Sequence, residues 1–273
     1  FYSIRIRMKI PNISIPMPKN ISIPMPKNVS SMSTPMQYGF ILLFVVLFGA
    51  LLIFIKNQIL SNIESTKESP YILTGTKNAK RSLVISQDPS VPGSVPLLRS
   101  HNKSDAEFTY SVWLMVENTE YKYGEWKHVF HRGNDTGYPL RAPGVYFHPK
   151  ENTIRVYMNT MNEAMEYVDI PNVPIKKWIH LGVVLRGNQL EVYFNGKLRM
   201  VKTFTSVPRQ NHGKLWINLF GGFDGYLSRF RYFNYAVDYS TMLNIVKDGP
   251  NTSKCIDGDE IPPYLDDSWW FDL

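Results

Sequence analysis

Cysteine is almost missing from this chain of 273 residues, where Cys255 stands alone. An intrachain disulfide is therefore impossible, and a zinc site built from cysteines is excluded. Acid is missing from the first 37 residues, which hold Arg5, Arg7, Lys9, Lys19 and Lys27 and so carry +5. Regular secondary structure is excluded there too, because six prolines fall at close spacing in that arm. Proline at every second or third position removes the N–H donors that a helix or central strand needs. What is not scarce is aromatic side chain, 14% of the chain, too much for a disordered or collagen-like sequence.

The net charge of +7 suggests nucleic acid until it is located along the chain. The arm, 1–37, contains a tandem Ile-Ser-Ile-Pro-Met-Pro-Lys-Asn at 13–20 and 21–28, and reads as an extended, partly polyproline II segment. Its five cations allow only nonspecific, salt-sensitive contact with phosphates. The sequence opens on Phe1, which leaves a processed N-terminus or a start at Met8 as alternatives. Tyr38 to Ile55 is an uncharged apolar run, extended by Gln37, Asn57 and Gln58 toward the roughly 20 residues that span a bilayer. We expect a transmembrane helix over 38–58, anchored in lipid by Tyr38, Phe40, Leu43, Phe48, Leu52, Phe54 and Lys56. The polar residues 59–96, with scattered Ser, Pro and Gly, read as a stalk. The basic arm before the helix would lie in the cytoplasm and the rest outside. Sequons at Asn102, Asn134 and Asn251 would then be available, whereas Asn12, Asn20 and Asn28 require the reverse orientation.

From residue 97 the pattern changes to period two. Phe108, Tyr110, Val112, Leu114 and Val116 alternate with Thr109, Ser111, Trp113 and Met115. Similar segments recur at 126–132, 144–148, 153–160, 166–170, 178–186, 190–194, 197–204, 214–220 and 226–233. Asn195-Gly196 is a strong hairpin signal, since both positions tolerate positive φ. Only 238–246 looks helical. About ten or eleven short strands at this spacing predict an all-β antiparallel sandwich or barrel over 97–250.

Three stretches in order add a resemblance: Glu107–Leu114, Trp178–Lys197 with its strand–turn–strand–Asn-Gly pattern, and Gly225–Asp238. They resemble the laminin-G-like, pentraxin-like branch of the concanavalin A-like lectin/glucanase fold. The resemblance implies a two-sheet jelly roll with one convex and one concave face, and calcium as the usual ion. Asn134, Asp135 and Asp224 could offer oxygen ligands, but they are too few for a calcium loop, so no cofactor is expected.

Catalysis is not expected. Glucanases of this fold place carboxylates two apart on one strand face, and no such strand occurs here. Glu163, Glu166 and Asp169 are spaced by three, which on a strand turns neighbours to opposite faces, and Glu191 stands alone. His128 and His131 have the same spacing, so they cannot share an ion unless a bulge intervenes. Tyr121, Tyr123, Trp126, Tyr138 and Tyr146 are available as sugar platforms, and core packing explains any one of them as well.

The end of the chain, 251–273, reverses the sign to −5 and closes on Trp269, Trp270 and Phe271. Exposed tails seldom carry three adjacent aromatics, so this one either packs back on the sandwich or docks on another protein. A membrane anchor, a laminin-G-like domain and a Pro-Pro-Tyr…Trp-Trp tail together resemble proteins encoded by large DNA viruses, such as those of algae. That resemblance implies a minor virion protein linking an internal membrane to capsid proteins, with the sandwich on the originally cytosolic side. The alternative is a cell-surface lectin-like receptor that binds glycans.

Overall fold

The computed structural model describes residues 34–100 and 105–253 and divides into two compact units, 1–59 and 60–273. The basic arm and the tail residues Trp269, Trp270 and Phe271 lie outside the described residues. Among the described residues of the first unit the chain is helical, the start of α1 (Thr34–Glu68). It is long and apolar enough to cross a membrane, and the seven expected anchor residues lie exposed along it. A helix of 35 residues exceeds the roughly 20 required for a span.

The described residues of the second unit form a sandwich of twelve strands: β1 (Tyr71–Asn78), β2 (Leu83–Ile85), β3 (Glu107–Asn118), β4 (Lys127–Gly133), β5 (Arg141–Phe147), β6 (Thr153–Met158), β7 (Glu166–Pro171), β8 (Trp178–Arg186), β9 (Gln189–Phe194), β10 (Lys197–Thr203), β11 (Lys214–Ile217) and β12 (Asp224–Phe233). Sheet A has the order β1-β12-β3-β8-β9-β10 and sheet B the order β2-β11-β4-β5-β6-β7, with antiparallel pairing throughout. The expected jelly-roll sandwich is therefore what the chain forms.

Alternation builds the core. Tyr110, Val112 and Leu114 of β3 turn inward, as do Ile154 and Val156 of β6 and Phe230 and Tyr232 of β12, while a bulge in β4 turns the consecutive Val129 and Phe130 inward together. Tyr110 and Tyr232 meet at 5.0 Å between ring centroids, and Phe130 and Phe230 at 4.7 Å. The Asn195-Gly196 hairpin has φ of 49° and 76°, as a type I′ turn requires. On the other side of sheet A, Val184, Tyr193 and Phe233 pack with Val237 and with Met242 of α2 (Tyr239–Asp248). Asp238 caps this helix by accepting from the Thr241 amide at 2.9 Å.

Two expectations need correction. The segment read as a stalk supplies β1 and β2, which close one edge of each sheet. Alternation did not reveal β1 because two register shifts, between Tyr71 and Leu73 and between Leu73 and Thr76, break its period. The strand expected over 214–220 stops at Ile217, where Asn218 and Phe220 adopt φ of 53° and 55° in a short 3-10 turn.

Candidate ligand-binding face

The face of sheet B turned away from the core carries the densest chemistry in the described residues. On β6, Ile154 and Val156 point inward, so Arg155 and Tyr157 point outward. On β7, Val168 and Ile170 do the same for Tyr167 and Asp169. The register then sets Arg155 opposite Asp169 and Tyr157 opposite Tyr167.

Arg155 donates to Asp169 twice, Nε to Oδ1 and Nη2 to Oδ2, each at 2.7 Å. This planar fork fixes the guanidinium, and the carboxylate holds its pKa further up. Two exposed aromatics lie beside it, Tyr167 with its centroid 3.7 Å from the guanidinium carbon and Trp126 at 5.0 Å. Both rings are open, Tyr167 43% and Trp126 39% exposed, and the Asp169 side chain is 37% exposed. His148 meets the Trp126 ring edge-on at 5.2 Å. A rigid aromatic–guanidinium–aromatic row with a carboxylate at its edge can stack on a ring and accept hydroxyl hydrogen bonds.

Beside this open row lies a closed one. Arg141, 8% exposed, stacks on Tyr157 at 3.6 Å and reaches toward Tyr146 at 5.5 Å, and its Nε has no hydrogen-bond partner. Next to Tyr146 is His128, then His131, both fully buried. The expectation that these histidines face opposite sides is overturned. A register shift between His128 and Phe130 inserts a bulge, and the two rings meet with Nε2 and Nδ1 2.6 Å apart. Their neighbours fix the protons. The Leu219 amide donates to His128 Nδ1 at 2.9 Å, so neutral His128 carries its proton on Nε2 and donates to His131. His131 in turn donates from Nε2 to the Asn134 carbonyl at 2.7 Å. Burial pushes both pKa values down, and for His131 the charge of Arg141 adds to the effect. Every ring nitrogen is engaged. Among the described residues no group of three or more His, Cys, Asp or Glu converges as a metal site would require.

The other sequence candidates scatter. Asp224 pairs with Lys80 at 2.8 Å. Asn134 spends its amide on the Tyr138 carbonyl, and Asp135 sits exposed on the same loop, so the three oxygen candidates have separate engagements. Tyr121 donates to the Gly221 carbonyl at 3.0 Å. Tyr138 is exposed on the β4–β5 loop. Tyr123 lines a cavity of about 110 Å³ at one end of the sandwich, with Glu120, Lys127 and Glu151. Glu166 pairs with Lys202 at 3.4 Å and Glu191 with Arg186 at 3.5 Å. Glu163 caps its own loop by accepting from the Met165 amide.

Sequence reasoning found Trp126 and Tyr146 but missed Arg141, Arg155, Tyr157 and Tyr167. The signal was present in the alternation of 153–158 and 166–171, where each second residue is aromatic or charged between aliphatic ones. Sheet A also buries a Ser–His pair, Ser111 Oγ to His180 Nε2 at 2.8 Å, in which His180 Nδ1 has no partner. Burial alone pushes His180 down to about 4.

The sequence model of one family, described as the concanavalin A-like lectin/glucanases superfamily (laminin G type), matches residues 93–240. No curated protein matches the sequence. Among solved structures, similarity extends to the botulinum neurotoxin serotype D ligand binding domain in complex with N-acetylneuraminic acid, at 9% identity and TM-score 0.48, over 68% of this chain and 52% of that one. It extends also to the receptor binding domain of botulinum neurotoxin C/D mosaic serotype, at 9% identity and TM-score 0.43, over 52% and 36%. A third is the botulinum neurotoxin type G receptor binding domain, at 11% and 0.41, over 63% and 46%. The chain spans between about a third and a half of the length of these structures.

Proposed function

Because the chain belongs to the concanavalin A-like lectin/glucanases superfamily, we propose that it is a non-catalytic binding module held on a bilayer by α1. The open row Trp126–Arg155–Tyr167 carries this reading. It offers stacking surface and hydrogen-bond acceptors, while its one carboxylate, Asp169, is already neutralised by a bidentate arginine and so is a poor general acid or base. The buried Ser111–His180 pair supports the same reading, because its imidazole has no third group to orient it.

The finer proposal is a minor virion protein that links an internal membrane to the capsid shell, with the sandwich on the cytosolic side of the membrane. One sequon supports that side. Asn134 Nδ2 donates to both Thr136 Oγ1 at 3.0 Å and the Tyr138 carbonyl at 2.5 Å. An N-linked sugar replaces one of the two hydrogens on that nitrogen, so a glycosylated Asn134 would lose one of these bonds. Capsid proteins are then the partners, and the basic arm faces nucleic acid without sequence preference. Protein docking is also supported by the exposed edge strand β10, which shows Leu198, Met200 and Val201 to solvent.

The second reading, a glycan-binding surface receptor, is favoured by the stacking row itself. Full-length protein in detergent on a glycan array separates the two. Binding to a defined sugar that Trp126→Ala abolishes establishes the receptor reading. No glycan binding, with the protein found between capsid and bilayer in purified particles, establishes the virion reading.

A further inference from the structure

Arg141 and Arg155 both stand on the outer face of sheet B, and the described residues supply an acid for only one of them. Arg155 is filled by Asp169, which it holds through both oxygens. The acids around the 159–165 loop are committed elsewhere. Glu166 takes Lys202 at 3.4 Å and Thr160 Oγ1 at 3.1 Å, and Glu163 accepts from the Met165 amide at 3.0 Å. Among the described residues no carboxylate pairs with Arg141. The polar group it engages is the Tyr146 hydroxyl, which is neutral: burial pushes that phenol's pKa up, and the guanidinium draws it partly back. The positive charge therefore stands uncancelled, and it helps to lower the pKa of His131.

This charge is held in place by its surroundings. The Arg141 amide donates to Asn159 Oδ1 at 2.5 Å, and Asn159 Nδ2 donates to the Pro139 and Ala164 carbonyls at 2.8 and 2.6 Å. One asparagine thus fixes the start of β5 and draws the 134–140 and 159–165 loops together beside it. Tyr157 stacks on the guanidinium at 3.6 Å. Gly144 makes room for the stem, since a Cβ there would stand 3.1 Å from Arg141 Cβ and Cδ. A guanidinium kept 8% exposed without an acid is costly, and a ligand that brings the missing negative charge removes that cost.

Tyr157 also joins Arg141 to the open row. Its ring lies 5.8 Å from that of Tyr167 and 6.1 Å from that of Trp126. A sugar ring stacked on the row has Asp169 at its edge for hydroxyls and Arg141 one aromatic ring away. Nε of Arg141 is sealed and unbonded, so pairing falls to the two Nη groups. Resting on the glycan-binding reading above, we propose that the ligand of this face is an acidic sugar whose carboxylate or sulfate pairs with Arg141. Arg155 is unsuited to the same role, because Asp169 already fills its fork and would repel a second acid.

Full-length protein in detergent is read on an array that prints uronate- and sulfate-bearing glycans beside their neutral counterparts. Acidic members are expected to bind at least about tenfold more tightly than their neutral counterparts, and Arg141→Gln to bring each pair to equal affinity. A preference for uronates alone or for sulfates alone identifies the group and supports the proposal in either case. An acidic preference that survives Arg141→Gln would assign it to the basic arm and overturn the proposal. Neutral members that bind as tightly as acidic ones, with Trp126→Ala abolishing both, would overturn it while leaving the row as a glycan site. An array on which nothing binds would overturn it together with the glycan-binding reading. Should Arg141→Gln not fold, Arg141→Lys decides. The charge stays but the planar fork is lost, so the acidic preference is expected to shrink at least about threefold. An unchanged preference there would overturn the proposal.

Discussion

His128 and His131 share one hydrogen bond, Nε2 to Nδ1 at 2.6 Å, in a chain of donors that runs one way from the Leu219 amide to the Asn134 carbonyl. Neither ring has room for a second proton. Protonated His128 would turn an N–H toward the Leu219 amide, and protonated His131 would turn one toward His128. Tyr146 packs on His128, Trp216 stacks on His131 and the Arg141 charge opposes any further positive charge.

The pair therefore links stability to acid. Both pKa values are depressed in the fold, as is that of His180, at about 4. In the unfolded chain each histidine titrates near 6.5. Between those limits the unfolded state binds more protons, so stability is full above about pH 6.5 and falls as pH drops. The expected slope is up to about 1.4 kcal/mol per pH unit for each histidine that stays neutral. Denaturant titrations of the solubilised protein at pH 7.5, 6.5 and 5.5 measure it. His128→Gln should reduce the slope by one histidine and cost about 2 kcal/mol at pH 7.5 through the orphaned partners. Stability that does not change over this range would refute the relay.

Gly133 closes the loop that carries Asn134. A Cβ there would stand 1.8 Å from the Leu140 carbonyl oxygen, which is backbone and cannot rotate away. That carbonyl accepts from the Asn134 amide at 3.3 Å. Gly133→Ala is expected to cost about 3 kcal/mol by overpacking. It should also displace the 134–140 loop, seen as faster exchange of the Gly137 amide. Gly49→Ala, where nothing lies within 4 Å, serves as the control for adding a methyl at a glycine of ordinary φ.

Sequence periodicity located most strands, including bulged ones such as β4 and β12, but failed where the shifts fall close together in a short strand or change the face a side chain takes. Val112, Leu114 and the Asn195-Gly196 turn were legible because unbroken alternation and two positive-φ residues leave one interpretation. β1 was hidden by two register shifts within eight residues. The histidine pair was hidden for the same reason, since a single inserted residue reverses which face a side chain takes. Of the binding row only Trp126 was legible, as a loop aromatic. The rest, Arg155 and Tyr167, becomes meaningful only when β6 and β7 are set in register, which depends on contacts that no local pattern encodes.

Arg155 is expected to matter to binding more than to stability. Its pair with Asp169 is partly exposed, so removing it should cost only about 1 kcal/mol. Arg155→Lys keeps the charge but loses the fork and the flat surface between Trp126 and Tyr167. Any ligand of this face should bind at least about tenfold more weakly to Arg155→Lys, while its thermal midpoint stays within a few degrees of the parent. Equal affinities would remove the row from recognition.

Glycosylation reports the side of the membrane, and Asn134 is a sequon whose sugar the fold opposes. Its Nδ2 donates to both Thr136 Oγ1 and the Tyr138 carbonyl, and a sugar added during translocation would leave that nitrogen one hydrogen for two acceptors. The basic arm ahead of α1 argues for a luminal sandwich, through the positive-inside preference. That preference is a bias in insertion, whereas the lost Asn134 bond is a defect in every glycosylated copy, about 1 kcal/mol. Expressed with endoplasmic-reticulum membranes, the full chain is expected to show no endoglycosidase-sensitive shift. External protease should digest the sandwich and leave a protected fragment containing 38–55. A glycan on Asn102, Asn134 or Asn251, or a protected sandwich, would place the domain on the far side and end the membrane-to-capsid reading.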